Sequence, residues 1–97
     1  MDLQEKYRKK IKFYYDENGL LIQFPTKKPL REIVLSRIAE KFAFDVEYTE
    51  RQVNQIIAEQ IAFSDIELLR RELYEGEYID RLRDGSKYWR IRKTETE

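Results

Sequence analysis

Cationic side chains crowd residues 81–93, where the string RLRDGSKYWRIRK also carries two adjacent aromatic residues. Guanidinium and ammonium groups donate charge-assisted hydrogen bonds to phosphate oxygens, so a hairpin rich in them suits contact with a nucleic-acid backbone or minor groove. The cations in question are Arg81, Arg83, Lys87, Arg90, Arg92 and Lys93. A structural interpretation competes with this one, because arginine stems can cover apolar surface while their heads pair with acidic groups. On either interpretation we expect Trp89 to be a core residue.

A helix predicted over residues 64–75 would enter the DNA major groove if this hairpin is a wing. With Leu73 placed inward, steps of about 100° put Ser64, Leu68, Arg71 and Glu75 on the outer face. The candidates for contact with base edges are therefore Arg71, Ser64 and Arg70. The acidic residues Asp65, Glu67, Glu72 and Glu75 lie on the same helix. Their negative charge opposes phosphate, so this helix is not positive evidence for DNA reading.

Two further basic clusters lie near the N-terminus, in KYRKKIK at residues 6–12 and in TKKPLR at residues 26–31. Lys9 and Lys10 are the candidates there for extending a DNA footprint. Together with the hairpin they would neutralise roughly four to six phosphates, which makes binding strongly salt-dependent. Both clusters could instead be solvated helix surface, and we favour that interpretation for them.

Cysteine and histidine are both absent, which removes disulfides, thiolate metal sites, Cys nucleophiles and His-based catalysis. The three glycines are scattered and form no phosphate cradle, and no loop has calcium-binding spacing. Carboxylate pairs such as Glu72 and Glu75 fit a solvated helix face better than an active site. We therefore expect a protein that is not an enzyme and that uses no metal or cofactor.

The net charge of zero conceals a partition along the 97 residues. Residues 1–31 hold eight basic and four acidic side chains, residues 32–80 hold five and twelve, and residues 81–97 hold six and three. This asymmetry would also permit head-to-tail self-association. The length predicts a single domain over residues 1–97. Apolar runs are too short for a membrane span or a signal peptide, so we expect a cytoplasmic protein.

The N-terminal extension, residues 1–24, allows two interpretations. Leu3, Tyr7, Ile11 and Tyr14 share one stripe of a helix. Alternatively, residues 11–15 alternate as a strand that Asn18-Gly19 turns back onto residues 22–24. We favour a helix ending before Asn18, followed by a short extended piece over residues 20–24.

Three further helices are predicted over residues 29–43, 49–60 and 64–75. Pro29 suits a first turn, and Thr49 with Gln52 forms a capping box. Ser64 with Glu67 repeats that pattern, and Gly76 supplies a left-handed end. The inward positions are Val34, Leu35, Ile38, Phe42, Val53, Ile56, Ile57, Ile66, Leu69 and Leu73. Residues 78–92 then form a hairpin with strands over 78–82 and 87–91 and a turn around Asp84-Gly85. Its register stays open because loops of two and three residues give different cross-strand partners, and residues 93–97 form a frayed tail.

This order predicts an α+β fold, a winged helix-turn-helix with three core helices, a C-terminal β-hairpin wing, and an extra N-terminal helix and short strand. Four strings in order, FPTKKPLREIVLSRIAEKF, YTERQVNQI, DIELLRREL and DGSKYWR, also resemble a bacterial family catalogued as domain of unknown function number two thousand and eighty-seven. The resemblance covers residues from about 13 to 90. It implies a winged-helix protein linked to transcription regulation and nucleic-acid binding, with a helix rather than a strand at the N-terminus, and it supplies no ligand or catalytic residue.

Two hypotheses follow. In the first, the chain is a winged-helix module that binds double-stranded DNA as a transcription regulator or regulator accessory. In the second, it is a winged-helix module for protein–protein interaction, in which the acidic helix face around Leu68 meets a basic partner. We favour the first.

Overall fold

Four α-helices precede a two-stranded antiparallel hairpin in the computed structural model, which describes residues 3–92 and side chains from Glu5 onward. The elements are α1 (Leu3–Ile11), a 3₁₀ turn (Lys12–Tyr14), α2 (Lys28–Ala39), α3 (Glu50–Ala58), α4 (Ile66–Glu75), β1 (Ile79–Arg81) and β2 (Tyr88–Arg90). The predicted α+β class is confirmed. The predicted tail, residues 93–97, lies outside the described residues, as does Lys93.

The N-terminal segment combines both interpretations offered by its sequence. The predicted helix is present as α1, but it ends at Ile11 and passes through the 3₁₀ turn into extended backbone at Tyr15. Residues 16–19 then turn the chain, with Gly19 at a φ of 82°, so that Tyr15 pairs with Leu21 in an antiparallel bridge. Leu21 also exchanges hydrogen bonds with the segment that follows α3, donating to the Gln60 carbonyl and accepting from the Ala62 amide. These contacts fix α1 and its turn to the helical body.

Helix α2 begins as predicted, with Pro29 in its first turn, but it is shorter than the predicted 29–43. Beyond Ala39 the chain continues in tighter i→i+3 turns, because Lys41 donates to the Ile38 carbonyl and Phe42 donates to the Ala39 carbonyl. The tightening carries the Phe42 side chain into the core, where 1% of it is exposed. The predicted inward residues of this helix are all buried.

Helix α3 carries the capping box that the sequence predicts. Thr49 Oγ1 accepts from the Gln52 amide at 3.1 Å, and Gln52 Oε1 accepts from the Thr49 amide at 2.8 Å. The helix begins at Glu50 and ends at Ala58, within the predicted 49–60. Val53 and Ile57 are fully buried, and Ile56 is half-buried against the same core.

Helix α4 begins one residue later than a Ser64 cap requires, so that prediction is wrong. Asp65 is the N-cap, and its Oδ1 accepts from the Leu68 amide at 3.1 Å. The box with Glu67 is consequently not formed, since Glu67 occupies the second helical position rather than the third. Leu69 and Leu73 are fully buried as predicted, whereas Ile66 is half-buried.

Helix α4 ends at Glu75, at the predicted position, but the prediction that Gly76 is the left-handed residue is wrong. Gly76 has a φ of −82°, and the left-handed residue is Glu77 with a φ of 64°. Tyr78 donates to the Leu73 carbonyl and Glu77 donates to the Tyr74 carbonyl, which is the Schellman arrangement with Glu77 at its left-handed position. Gly76 serves close packing instead, because an added Cβ would lie 3.0 Å from the Glu72 carbonyl oxygen.

The α4 cap yields a test with a built-in control. Asp65→Ala should lower the free energy of unfolding by about 1 kcal/mol, because it leaves the Leu68 amide without its side-chain acceptor. Ser64→Ala should change it by less than about 0.5 kcal/mol, since Ser64 is exposed and its side chain has no capping role. Urea denaturation of both variants provides the measurement. A larger loss of unfolding free energy for Ser64→Ala than for Asp65→Ala would identify Ser64 as the N-cap instead.

The hairpin pairs Ile79 with Arg90, Asp80 with Trp89 and Arg81 with Tyr88. Leu82 donates to the Lys87 carbonyl, so the loop holds the four residues 83–86 rather than the two or three predicted. Asp84 Oδ1 accepts from both the amide and the hydroxyl of Ser86, at 2.9 and 2.7 Å, and these hydrogen bonds stabilise the wider loop. They also hold the pKa of the Asp84 carboxyl below its usual range.

The prediction that Trp89 is a core residue is wrong. Successive strand residues point to opposite faces, and in this register Ile79 and Tyr88 are the ones buried. Trp89 is half-buried on the other face. Tyr88 also exchanges two backbone hydrogen bonds of 2.8 Å with Tyr48, in the loop between α2 and α3, so β2 pairs with Tyr48 on one side and with β1 on the other.

Candidate nucleic-acid interface

A cleft separates α4 from the hairpin, and we call it the α4 cleft. Its volume is about 250 Å³, and its lining includes Glu50, Glu67, Arg70, Arg71, Tyr74 and Arg81. Helix α4 and β1 are in direct contact, which brings cations from two separate segments of the chain to one surface. Three of the predicted site residues therefore meet here.

Arg70 is committed to the protein's own structure. One guanidinium nitrogen, Nη1, donates to Asn54 Oδ1 at 2.5 Å, and Nη2 lies 3.8 Å from Glu50 Oε2. Only 19% of its side chain is exposed. Arg70 thus joins α4 to α3 at the floor of the cleft. The sequence had suggested Arg70 for contact with base edges, whereas in the structure its guanidinium binds Asn54 and Glu50.

Arg71 lies at the opening of the cleft and is exposed. Within the described residues its guanidinium forms no ion pair with Glu67 or Glu75, the partners that helix spacing offers it. Ser64 is exposed just before α4, where its carbonyl accepts from the Ile66 amide. Of the three base-edge candidates, Arg71 is the one whose charge faces solvent in the cleft.

Arg81 spans the cleft from the hairpin side. Its guanidinium lies over the Tyr74 ring, 5.0 Å from the centroid, and Nη1 donates to the Arg83 carbonyl at 3.4 Å. A cation held over an aromatic face keeps its charge while its position is restricted. Arg83 itself is exposed in the hairpin loop.

The other hairpin cations are engaged on a different surface, formed with the loop between α2 and α3. Lys87 Nζ lies 3.1 Å from Glu47 Oε1, and Arg92 Nη2 lies 2.8 Å from Asp45 Oδ2. Arg90 and Arg92 both lie over the Phe44 ring, at 3.9 and 4.3 Å from its centroid, and Arg90 Nη1 also donates to the Phe42 carbonyl at 3.2 Å. This is the self-pairing that the structural interpretation expected.

Lys9 and Lys10 are exposed on α1, which packs against α2. No described residue of α1 lines the α4 cleft. Lys9 and Lys10 therefore lie on a different surface from the α4 cleft.

The sequence did not identify Asn54, Glu50 or Tyr88 as parts of this site. The Tyr88 hydroxyl donates to Glu50 Oε1 at 3.3 Å. Burial raises the pKa of the Tyr88 phenol, and the negative charge of Glu50 raises it further, so the hydroxyl stays protonated at neutral pH. Spacing alone gave no signal for these contacts, because Glu50 is 38 residues from Tyr88 and Asn54 is 16 residues from Arg70.

Over the described part of the chain, no group of His, Cys, Asp and Glu residues is arranged to hold a metal ion. Among the same residues, no helix has the length and apolar character needed to cross a bilayer.

Residues 20–90 match the model of a family described as an uncharacterized protein conserved in bacteria, DUF2087. The chain belongs to this family. The DUF2087 region runs from the residue before Leu21 through β2, so it includes the α4 cleft and leaves α1 outside. The resemblance predicted from four sequence strings is confirmed. Neither the curated proteins nor the solved structures gave a match to the chain.

Proposed function

We propose that this DUF2087 protein is a winged-helix module that binds double-stranded DNA, with α4 at the major groove and the hairpin on the backbone. The supporting observation is that Arg71 of α4 and Arg81 of the hairpin line one cleft, and that the backbone carbonyl of the exposed Arg83 accepts a hydrogen bond from Arg81. The order of α2, α3, α4 and hairpin supports the proposal. The bridge between Tyr48 and Tyr88 supports it too. Tyr48 lies in the loop between α2 and α3, and it pairs there with β2 as a short strand would.

The three arginines have different roles in this proposal. Arg71 is the candidate for bidentate contact with a guanine edge, while Arg81 and Arg83 contact phosphates and set the register. Two neutralised phosphates correspond to a slope of about −1.8 in the plot of log affinity against log salt concentration. Glu67 and Glu75 on the same helix limit how tightly α4 can approach phosphate.

The cellular role in this proposal is that of a transcription regulator or regulator accessory in the bacterial cytoplasm. The protein is not an enzyme in this account and needs no cofactor. The lack of histidine and cysteine supports that part of the proposal, because the chain offers no imidazole base and no thiol nucleophile.

Fluorescence anisotropy with a random DNA duplex, at about 50 and 200 mM salt, tests the proposal. Arg81→Ala combined with Arg83→Ala should lower the affinity at low salt and make the salt slope shallower by about 1.8, because two phosphate contacts are lost. Lys41→Ala combined with Arg51→Ala removes the same charge from exposed positions outside the cleft and should have a much smaller effect. An unchanged affinity of the Arg81/Arg83 variant would refute the proposal.

Protein–protein interaction is the second candidate function. It is favoured by the self-pairing of Lys87, Arg90 and Arg92 and by the exposed carboxylates of Glu67 and Glu75 on α4. In this account the α4 face around the half-buried Leu68 contacts a basic protein. Absence of DNA binding at low salt, together with a partner whose binding is lost on Leu68→Asp, would support it, provided that circular dichroism confirms the variant is folded.

A further inference from the structure

Helix α1 presents lysine side chains to solvent. Its apolar side packs against α2, with Ile11 buried. Counted from Ile11 in steps of about 100°, Lys6 and Lys9 point outward and Lys10 lies on the flank beside them. All three lysines are exposed, and within the described residues none of them forms an ion pair with a carboxylate. Their charge is therefore available to a partner.

The charge of this helix is positive on balance. Residues 5–12 hold five basic side chains and one acidic side chain, Glu5. The turn that follows adds Asp16 and Glu17, so residues 5–17 still hold five basic and three acidic side chains. The α2 carboxylates nearest to α1, Glu32 and Glu40, line a cavity on the inner side of the helix, and the three outward lysines are not part of its walls. The outward lysines thus retain a net positive field.

Two large apolar side chains are exposed next to these lysines. Phe13, in the 3₁₀ turn after α1, is 71% exposed, and Ile22 is 46% exposed. The Ile22 amide donates to the Tyr14 carbonyl at 2.8 Å, which places Ile22 beside that turn. Lys12 Nζ lies 5.5 Å from the centroid of the Phe13 ring, so a cation accompanies the exposed ring. We call Lys6, Lys9, Lys10, Phe13 and Ile22 together the α1 face.

Charge and exposed apolar groups together favour an anionic lipid surface as the partner. Each lysine close to anionic headgroups strengthens binding by about fivefold. An exposed aromatic ring beside lysines can enter the boundary between headgroups and acyl chains. A DNA duplex would engage the lysines, but its phosphate backbone has no apolar layer to accept Phe13 and Ile22. Protein interfaces are depleted in lysine, so a protein partner fits this face less well.

We propose that the α1 face docks the protein on the surface of an anionic bilayer. The helix lies against the headgroups as part of the folded domain, with Phe13 and Ile22 entering the interface and the lysines contacting the headgroups. The contact of α1 with α2 and the bridge between Tyr15 and Leu21 fix these side chains relative to one another. The α1 face shares no residue with the α4 cleft, so this proposal does not depend on DNA binding.

Co-sedimentation of the full chain with lipid vesicles tests the docking. Phosphatidylcholine vesicles with about 30% phosphatidylglycerol should bind the protein at about 50 mM salt and bind it more weakly at about 200 mM, because salt screens exposed charges. Vesicles of phosphatidylcholine alone should bind about 100-fold more weakly, since the attraction of three lysines is lost.

Two variants separate the roles of charge and apolar contact. Lys9→Gln combined with Lys10→Gln should weaken binding to the anionic vesicles by about 25-fold. Lys41→Gln combined with Arg51→Gln removes the same charge from exposed positions outside α1 and should have a much smaller effect. Phe13→Ser should weaken binding by about tenfold, because the ring no longer enters the interface.

Val46→Ser is the control for Phe13→Ser, since Val46 is 39% exposed in the loop between α2 and α3, and it should bind like the wild type. Every substituted side chain is exposed, so the variants should keep the circular dichroism spectrum of the wild type. Absence of binding to the anionic vesicles at low salt would overturn the proposal. Equal binding to both kinds of vesicle, equal weakening by the two charge variants, or unchanged binding of Phe13→Ser would overturn it as well.

Discussion

Phe42→Ala should lower the free energy of unfolding by about 3–5 kcal/mol. The ring is fully buried and meets the Tyr48 ring edge to face, with centroids 5.3 Å apart and planes at 86°. Tyr48 in turn holds the chain after α2, because its hydroxyl accepts from the Ala43 amide at 2.8 Å. Truncation would leave a cavity where α2, its following turns and the Tyr48–Tyr88 pairing come together. For a small domain with a total stability of about 5–15 kcal/mol, this is a large fraction.

Urea denaturation followed by circular dichroism measures the loss, and Phe13→Ala is the matched control. The Phe13 ring is 71% exposed, so its removal should change the stability by no more than about 0.5 kcal/mol. Phe42→Leu, which retains most of the apolar volume, serves if the alanine variant does not fold. Equal stabilities of the Phe42 and Phe13 variants would contradict the position of Phe42 in the core.

Leu73→Ala should lower the free energy of unfolding by about 2–5 kcal/mol. The side chain is fully buried on α4, and its carbonyl accepts from the Tyr78 amide at the turn into β1. The loss therefore falls where α4 meets the hairpin, the contact that brings Arg71 and Arg81 to the same cleft. Thermal unfolding should show the midpoint lower by roughly 10 °C or more, since about 1 kcal/mol shifts it by about 4–8 °C in a domain of this size.

Leu82→Ala removes the same atoms from the hairpin and provides the comparison. Leu82 is 42% exposed, and its truncation should cost less than half of the loss at Leu73. If Leu82→Ala proved as destabilising as Leu73→Ala, the burial of the two leucines would have to be reassigned.

Signals carried by neighbouring residues predicted the first residues of α2, α3 and α4 to within one or two positions, but they did not predict that α2 ends at Ala39 rather than at residue 43. Thr49 and Gln52 satisfy each other's amides across three residues, so their pattern needs no tertiary contact to be decisive. Ser64 and Asp65 are both good N-caps, and residue type does not choose between neighbours of similar preference. Packing of the buried Leu69 and Leu73 sets the rotation of α4 and thereby selects Asp65.

The face assignment of the hairpin could not be predicted, because it depends on the register and the register depends on the loop. Trp89 is the larger side chain, yet Tyr88 points inward once Asp84 and Ser86 fix a four-residue loop. Moving the register by one residue would exchange their faces. Side-chain size alone was therefore a poor guide.

The candidate site was predicted as a set of cations but not as an arrangement. Arg90 donates a hydrogen bond to Phe42, 48 residues earlier in the chain, and Arg92 donates one to Asp45, 47 residues earlier. Both arginines also lie over the Phe44 ring. Partners so distant in sequence leave no local signal. The sequence could thus propose which residues carry charge. Only the fold separates Arg71 and Arg81, which line the cleft, from the cations that are paired elsewhere.

The pairing of Tyr48 with Tyr88 also bears on the behaviour of the protein at high concentration. With Tyr48 on one side and β1 on the other, β2 has no open backbone edge at Tyr88 to template a strand from a second copy. Within the described residues, the outer members of this arrangement are the segment at Tyr48, which pairs through a single residue, and β1, which is three residues long and carries Asp80 and Arg81. Short, charged edge strands discourage cross-β aggregation. The hairpin can therefore present aromatic and cationic side chains to a partner without offering its backbone to other copies of the chain.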